Sequence, residues 1–243
     1  MPNARLVTFI NQTDVVILCG GLGTRLRSIS GQTPKVMMEM DKRPFLDIIL
    51  EHIQKQDLHR VVLLTGYQAY SVEEYYRKND FDLEIAFSRE EEPLGTGGAL
   101  KNARQKIKSD PFFLLNGDSF CPVSFNDLLK FHRVHRAFGT LTVAQAGETK
   151  DYGSIKMDKN KRITAFLEKG RLRDKVYVNA GIYCLSQAVF SAMPDDKKFS
   201  LEVDCFQRWV SRELYGYLVK QKFMDIGTPE RYRYARSFLK PKK

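Results

Sequence analysis

Val15-Val16-Ile17-Leu18-Cys19-Gly20-Gly21-Leu22-Gly23-Thr24-Arg25-Leu26 is the stretch that decides how this 243-residue chain folds. Four successive apolar residues make a strand that is hydrophobic on both faces, which suits a parallel sheet covered by helices on either side. The glycines follow where the strand ends, and backbone amides there can converge on a phosphate. Outward from this point the same alternation recurs. Strand-length runs at 14–18, 61–65, 83–87 and 112–115 alternate with helical spacing at 44–55, 71–78 and 97–107. That is βαβ order, so the expected class is α/β, a doubly wound, mostly parallel, Rossmann-like sheet. Ser71 with Glu74 and Ser124 with Asp127 have the spacing of helix capping boxes.

Beyond residue 139 the runs shorten to 140–145, 163–166 and 177–185, separated by turns rich in Gly, Asp and Lys. A mixed-sheet extension is expected there. Helical spacing returns at 201–210, and Thr228 as N-cap with Pro229 at the first helical position starts a last helix running to about 239. The expected organisation is one domain over 1–243. It comprises a nucleotide-binding half at 14–138, a substrate half at 139–227, and a basic helix and tail at 228–243.

With 43% of its residues hydrophobic, the chain can bury a full core without staples. Cys19, Cys121, Cys184 and Cys205 are scattered and form no CxxC pair, so they read as free thiols of a reducing compartment. No apolar run of about 18 residues occurs, and residues 1–13 hold no signal-like segment. A soluble, cytoplasmic protein with no membrane span is expected. The net charge of +10 is uneven, because residues 206–243 carry ten Lys or Arg against three Asp or Glu. Such a local excess reads as a solvated basic helix and not as a nucleic-acid surface. It leaves a homo-oligomeric interface open.

The first glycine-rich turn lacks the GxGxxG spacing of a dinucleotide site, since its glycines are 20, 21 and 23 and position 26 is Leu. This disfavours a nicotinamide-dependent oxidoreductase. Arg25 within the turn and Lys35 in Thr33-Pro34-Lys35 bring two cations to the same rim, as a triphosphate requires. A second glycine-rich loop, Glu92-Pro93-Leu94-Gly95-Thr96-Gly97-Gly98-Ala99, opens a helix whose N-terminus could be capped by Thr96. Asp118, in Asn116-Gly117-Asp118-Ser119, ends a buried strand, where open α/β sheets bind ligands. It is the best single candidate for ligating a hard cation such as Mg²⁺, which takes one or two carboxylates along with phosphate oxygens and water.

At this point the sequence resembles the sugar-phosphate nucleotidylyltransferase family, whose GGxGTRL turn and following PK pair are both present here. The EPLGTGGA loop and the Phe223-Met224-Asp225-Ile226-Gly227-Thr228-Pro229-Glu230 segment match as well. One departure is Val36-Met37-Met38 after the PK pair, where the family has Pro or Ala, so the packing behind the loop is expected to differ. The resemblance runs from about Asp14 to Phe238 and is strongest to members that join GTP to a heptose 1-phosphate, while the residues themselves do not distinguish guanine from uracil or thymine and leave a mannose, glucose or N-acetylated sugar phosphate open. It implies a nucleotidyltransferase fold, a nucleoside triphosphate (GTP favoured) and a sugar 1-phosphate as substrates, and Mg²⁺ held by Asp118 with Asp225. It further implies nucleotide contacts from Leu18, Gly20, Gly21, Gly23, Thr24, Gly95, Thr96, Gly97 and Gly117, with Arg25, Lys35 and Asp118 catalytic. The sugar phosphate would lie against Gly153, Glu168, Lys169, Asn179 and Gly181. Ser200-Leu201-Glu202 and Asp204 match too and are expected to be structural. A non-catalytic nucleotide-sugar sensor is disfavoured, because all five of Arg25, Lys35, Asp118, Lys169 and Asp225 are retained.

Overall fold

The computed structural model describes residues 9–145, 154–167, 177–220 and 223–238. Its strands and helices, in chain order, are β1 (Val15–Leu18), α1 (Arg27–Ser30), β2 (Glu39–Met40), β3 (Arg43–Pro44), α2 (Phe45–Gln54), β4 (Arg60–Thr65), α3 (Ala69–Lys78), β5 (Glu84–Arg89), α4 (Gly95–Asn102), β6 (Phe112–Asn116), β7 (Ser119–Phe120) and α5 (Phe125–Val134). They continue with β8 (Gly139–Gln145), β9 (Ser154–Met157), β10 (Ile163–Leu167), β11 (Tyr177–Leu185), α6 (Gln207–Trp209), β12 (Leu214–Val219), β13 (Met224–Asp225) and α7 (Pro229–Phe238).

The main sheet runs β10-β9-β11-β6-β1-β4-β5, with β8 and β12 joined through β11. β1 pairs in parallel with β4 and with β6, whereas β11 pairs antiparallel with β6 and β8. The first half is therefore parallel and the second mixed, as the change of pattern near residue 139 implies. After β1 the chain builds outward on one side through β4 and β5, then crosses to the other side for β6. This reversal opens a crevice at the carboxyl ends of β1 and β6, the place where open α/β sheets hold ligands.

The unbroken apolar strands are explained by two cores. Val15, Ile17, Leu63 and Phe113 pack with Phe45, Leu46 and Ile49 of α2 on one face, while Val16, Val62, Leu64 and Leu114 pack with Leu100 and Trp209 on the other. Val36 and Met38 are buried in the first of these, so the residues after Lys35 anchor the loop from behind. Two capping expectations differ in outcome. Ser124 caps α5 by accepting from the Asp127 N–H at 3.2 Å. Ser71, by contrast, lies inside α3, which starts at Ala69 behind Gln68 in the left-handed region, and its hydroxyl donates to the Gln68 carbonyl. All four cysteines are buried and free.

His132 of α5 is buried, with Nδ1 3.0 Å from the Thr140 hydroxyl. Burial, reinforced by the Arg133 charge, lowers its pKa to about 4. The folded protein thus keeps this ring neutral where the unfolded chain, at about 6.5, already binds a proton. Stability is unaffected above the unfolded value and falls as pH drops from about 6.5 to 4, by at most about 3 kcal/mol for this group. Urea titrations at pH 8 and pH 5 check this, with His132→Gln expected to lose much of the difference.

Candidate active site

Three loops meet at the carboxyl edge of the sheet. Cys19 N–H donates to the Leu64 carbonyl at 2.9 Å, Tyr67 N–H to Gly20 at 3.3 Å, and Gly117 N–H to Leu18 at 3.0 Å. The loop after β1 is in this way tied on one side to the end of β4 and on the other to the end of β6. A side chain at Gly117 would approach the Leu18 carbonyl to 2.6 Å, so the two loops touch backbone to backbone. Gly21 has open space around it, and Gly23 adopts φ +57°, starting a 3-10 turn over Thr24–Leu26. Thr24 and Arg25 lie exposed on this turn while Leu26 is buried beneath them. Arg25 is thus free to reach a ligand from the rim, and it makes no ion pair with any described residue.

Lys35 and Asp118, distant in the chain, form an ion pair of 2.5 Å between Nζ and Oδ2. The Ser119 hydroxyl donates to Asp118 Oδ1 at 3.0 Å. Asp225 is brought to the same place by a two-stranded ribbon, in which β13 pairs with β7 and the Ile226 N–H donates to the Asp118 carbonyl at 2.9 Å. Its Oδ1 accepts from Gly227 N–H at 2.8 Å, and Arg231 Nη1 lies 3.2 Å and 3.3 Å from its two oxygens. A methyl group on Gly227 would sit 2.7 Å from Asp225 Oδ1, 3.7 Å from Lys35 Nζ and 3.8 Å from Arg231 Nη1. Asp225, Lys35 and Arg231 therefore converge beside the glycine-rich turn, with Asp118 joined to them through Lys35.

The second glycine-rich loop packs closely on the chain at Phe199. Gly95 has φ +73°, and a side chain there would come within 2.5 Å of the Phe199 carbonyl; at Gly97 it would overlap the Phe199 ring. Gly97 N–H donates to that carbonyl at 3.0 Å. These glycines let α4 press against residues 197–199. Thr96 is not the cap of α4, which follows Leu94; its hydroxyl instead donates to Glu202 at 2.8 Å and accepts from Leu201 N–H at 2.9 Å. Glu202 also accepts from Ser200 Oγ at 2.9 Å, at the start of a π-helical turn over Leu201–Phe206. Such turns are uncommon and concentrate at functional sites.

On the far side of β6, Gly181 has φ +73° and lies over Asn116. Asn179 Oδ1 accepts from Gly181 N–H at 2.9 Å, and its amide donates to the Tyr183 hydroxyl at 2.7 Å. Burial first, then the Glu202 charge, pushes the Tyr183 phenol well up. Asn116 Oδ1 and Ser154 Oγ are buried and find no hydrogen-bond partner among the described residues. Gly153, Glu168 and Lys169 lie outside the described residues.

Three residues at or behind these loops were not singled out from the sequence for the contacts they make. Arg231 carries no motif of its own and is visible only through its distance to Asp225. Glu202 was legible as part of a family stretch but not as a partner of Thr96. Glu90 is the third: its carboxyl lies where side chains on Gly20 or Gly66 would strike it, and burial raises its pKa. Its Oε2 accepts from Leu94 N–H at 3.1 Å, so it joins the two glycine-rich loops.

Cations and carboxylates gathered at a sheet's switch point suit a polyphosphate ligand. The comparisons agree with that class. A family model described as nucleotidyl transferase matches residues 14–242. A D-glycero-alpha-D-manno-heptose 1-phosphate guanylyltransferase of Aneurinibacillus thermoaerophilus is 35% identical over 227 residues, 93% of this chain and 98% of that protein. The mannose-1-phosphate guanylyltransferase of Mycobacterium tuberculosis is 34% identical over 224 residues, 90% of this chain but 62% of that protein. HddC from Yersinia pseudotuberculosis, in its crystal structure complexed with GMP-PN, matches with a TM-score of 0.82 at 34% identity, over 94% of this chain and 100% of that one. The chain belongs to the nucleotidyl transferase family, as one of its sugar-phosphate nucleotidylyltransferases. Among the described residues no helix is long and apolar enough to cross a membrane.

Proposed function

We propose that this enzyme joins GTP to D-glycero-D-manno-heptose 1-phosphate in the cytoplasm, releasing pyrophosphate and making a GDP-heptose. Support for the base and the sugar comes from the heptose 1-phosphate guanylyltransferases to which nearly the whole chain is similar, and from the GMP-PN complex of HddC. The observation that carries the reading is the convergence of Lys35, Asp118 and Asp225 beside the glycine-rich turn. In this reading residues 14–138 hold the nucleotide and residues 139–227 hold the sugar.

In the reaction a phosphate oxygen of the sugar 1-phosphate attacks the α-phosphorus of the triphosphate, and the bond from that phosphorus to the β-phosphate oxygen breaks in line. The electron pair leaves with pyrophosphate. Little covalent help is needed, so positioning and charge stabilisation dominate. Glycine-loop amides at 20, 21, 23 and 24 cradle the phosphates. Arg25 closes on them from the rim, and Lys35 lies beside the charge that develops. Lys169 aligns the attacking phosphate, and Glu168, Asn179, Gly153 and Gly181 line the sugar.

Asp118 and Asp225 would hold Mg²⁺. Two carboxylate oxygen donors, each already facing a cation, match a hard ion that takes its remaining ligands from phosphate and water. Bound there, Mg²⁺ supplies neutralisation of phosphate charge. Pyrophosphate release measured over four triphosphates and several sugar 1-phosphates, with and without Mg²⁺, tests the reading. GTP with the heptose phosphate is expected to exceed every other pair by at least about tenfold in kcat/KM, as one well-read base edge or hydroxyl allows. Higher turnover with UTP or dTTP would overturn the choice of base.

A further inference from the structure

The Arg231 guanidinium sits against both oxygens of Asp225, at 3.2 Å and 3.3 Å. This is an inward-facing pair, with side-chain exposures of 23% for Arg231 and 10% for Asp225. It is also held from behind. α7 is capped by Thr228, whose hydroxyl accepts from the Arg231 N–H at 3.3 Å, and the next residue, Tyr232, donates its hydroxyl to the Glu39 carbonyl at 2.6 Å. Ala235 is fully buried one turn on. The guanidinium is therefore presented to Asp225 by a docked helix, on the side where Lys35 Nζ also lies.

Asp118 and Asp225 thus each carry an internal cation, and the two pairs differ in character. Lys35 comes from the same loop system that receives the triphosphate. Arg231 comes from the C-terminal helix and has no place in the phosphate-binding turn. A cation bound across both oxygens of a carboxylate competes with any metal ion that needs those oxygens, because the two positive charges cannot share them at close range.

Resting on the assignment of Asp118 and Asp225 as the metal carboxylates, we infer that Arg231 is a built-in counter-cation that holds Asp225 until a polyphosphate arrives with its metal. The phosphate charge then supplies the attraction that outweighs the Arg231 pair. Metal entry is in this way coupled to nucleotide entry, and by reciprocity each ligand raises the affinity for the other. Arg231 acts as a positioning residue, through Asp225.

The test is Mn²⁺ binding to the full-length protein, read by the free-ion electron paramagnetic resonance signal, first without nucleotide and then with a non-hydrolysable GTP analogue. Wild type is expected to bind Mn²⁺ weakly alone and much more tightly with the analogue. Arg231→Gln, which keeps most of the side chain's stem, is expected to bind Mn²⁺ alone about tenfold more tightly, the scale of one charge-assisted hydrogen bond. The gain on adding the analogue should shrink by a similar factor. Arg231→Lys, which keeps the charge without the planar fork, should fall between the two, and a thermal melt reports whether α7 remains docked. Unchanged or weaker metal binding in Arg231→Gln with an unaltered melt overturns the inference. If Arg231→Gln does not fold, Arg231→Lys decides alone, and wild-type affinity in that variant counts against it. Should Asp118→Asn and Asp225→Asn leave Mn²⁺ binding intact, the metal assignment itself has failed, a result separable from failure of the Arg231 role.

Discussion

Asp118→Asn is expected to lower kcat by about 10³-fold while leaving the protein folded, the scale of losing one preorganised charge-stabilising group. Asp118 ends the turn after β6 and reaches the crevice beside the glycine-rich loop, with its carboxylate on Lys35 at 2.5 Å. Its side chain is 36% exposed, so the ion pair contributes less than about 1 kcal/mol to stability and its loss cannot unfold the chain. What the variant loses is chemical. An amide cannot neutralise a metal, and Lys35 loses the group that points it at the phosphates. Pyrophosphate release at saturating substrates, with a circular-dichroism melt beside it, checks both halves. Full turnover in a folded Asp118→Asn enzyme would remove the carboxylate from the mechanism.

Gly95→Ala is expected to destabilise the protein by about 3 kcal/mol, from left-handed strain of roughly 1 kcal/mol or more and overpacking of similar or larger size. Position 95 has φ +73°, and its added carbon would meet the Phe199 carbonyl at 2.5 Å, a backbone atom that cannot swing aside. For a chain of this length that corresponds to about 8 °C in Tm. The consequence for function follows from the neighbours. α4 begins at Gly95, and the Thr96 to Glu202 hydrogen bond beside it fastens the first half of the chain to the turn at Leu201–Phe206. With the nucleotide held by residues 14–138, moving α4 off that turn should raise KM for GTP as well as lower Tm. A Gly95→Ala protein with unchanged Tm would show that this contact is not needed.

Much of the fold was legible because periodicity reports burial. Val15–Leu18 reads as a two-sided buried strand, and its partners on both sides are parallel strands with helices over each face. Thr228 and Pro229 likewise announce α7, since capping is a local property. Local pattern fails where tertiary contact decides. Ser71 has the right spacing for a cap, yet the turn at Gln68 starts α3 two residues earlier. Thr96 stands at the mouth of a helix, yet Glu202, 106 residues away, takes its hydroxyl. Glycine content does not announce a packing partner either, yet Gly95 and Gly97 sit against Phe199, far along the chain.

The site divides in the same way. Lys35, Asp118 and Asp225 were legible because a buried strand end, a cation near a glycine turn and a family segment each mark them, and the ribbon of β7 and β13 brings the two acids together. Arg231 was not, because an arginine in a basic helix looks like any other solvated charge until its distance to Asp225 is measured.

The most direct measurement is Mn²⁺ affinity in the presence of a non-hydrolysable GTP analogue for wild type, Asp118→Asn, Asp225→Asn and the double variant. If one metal sits between both carboxylates and the triphosphate, each single change removes most of the affinity and the double variant is little worse than either. Independent, additive losses, or metal binding that survives both changes, would contradict a shared site.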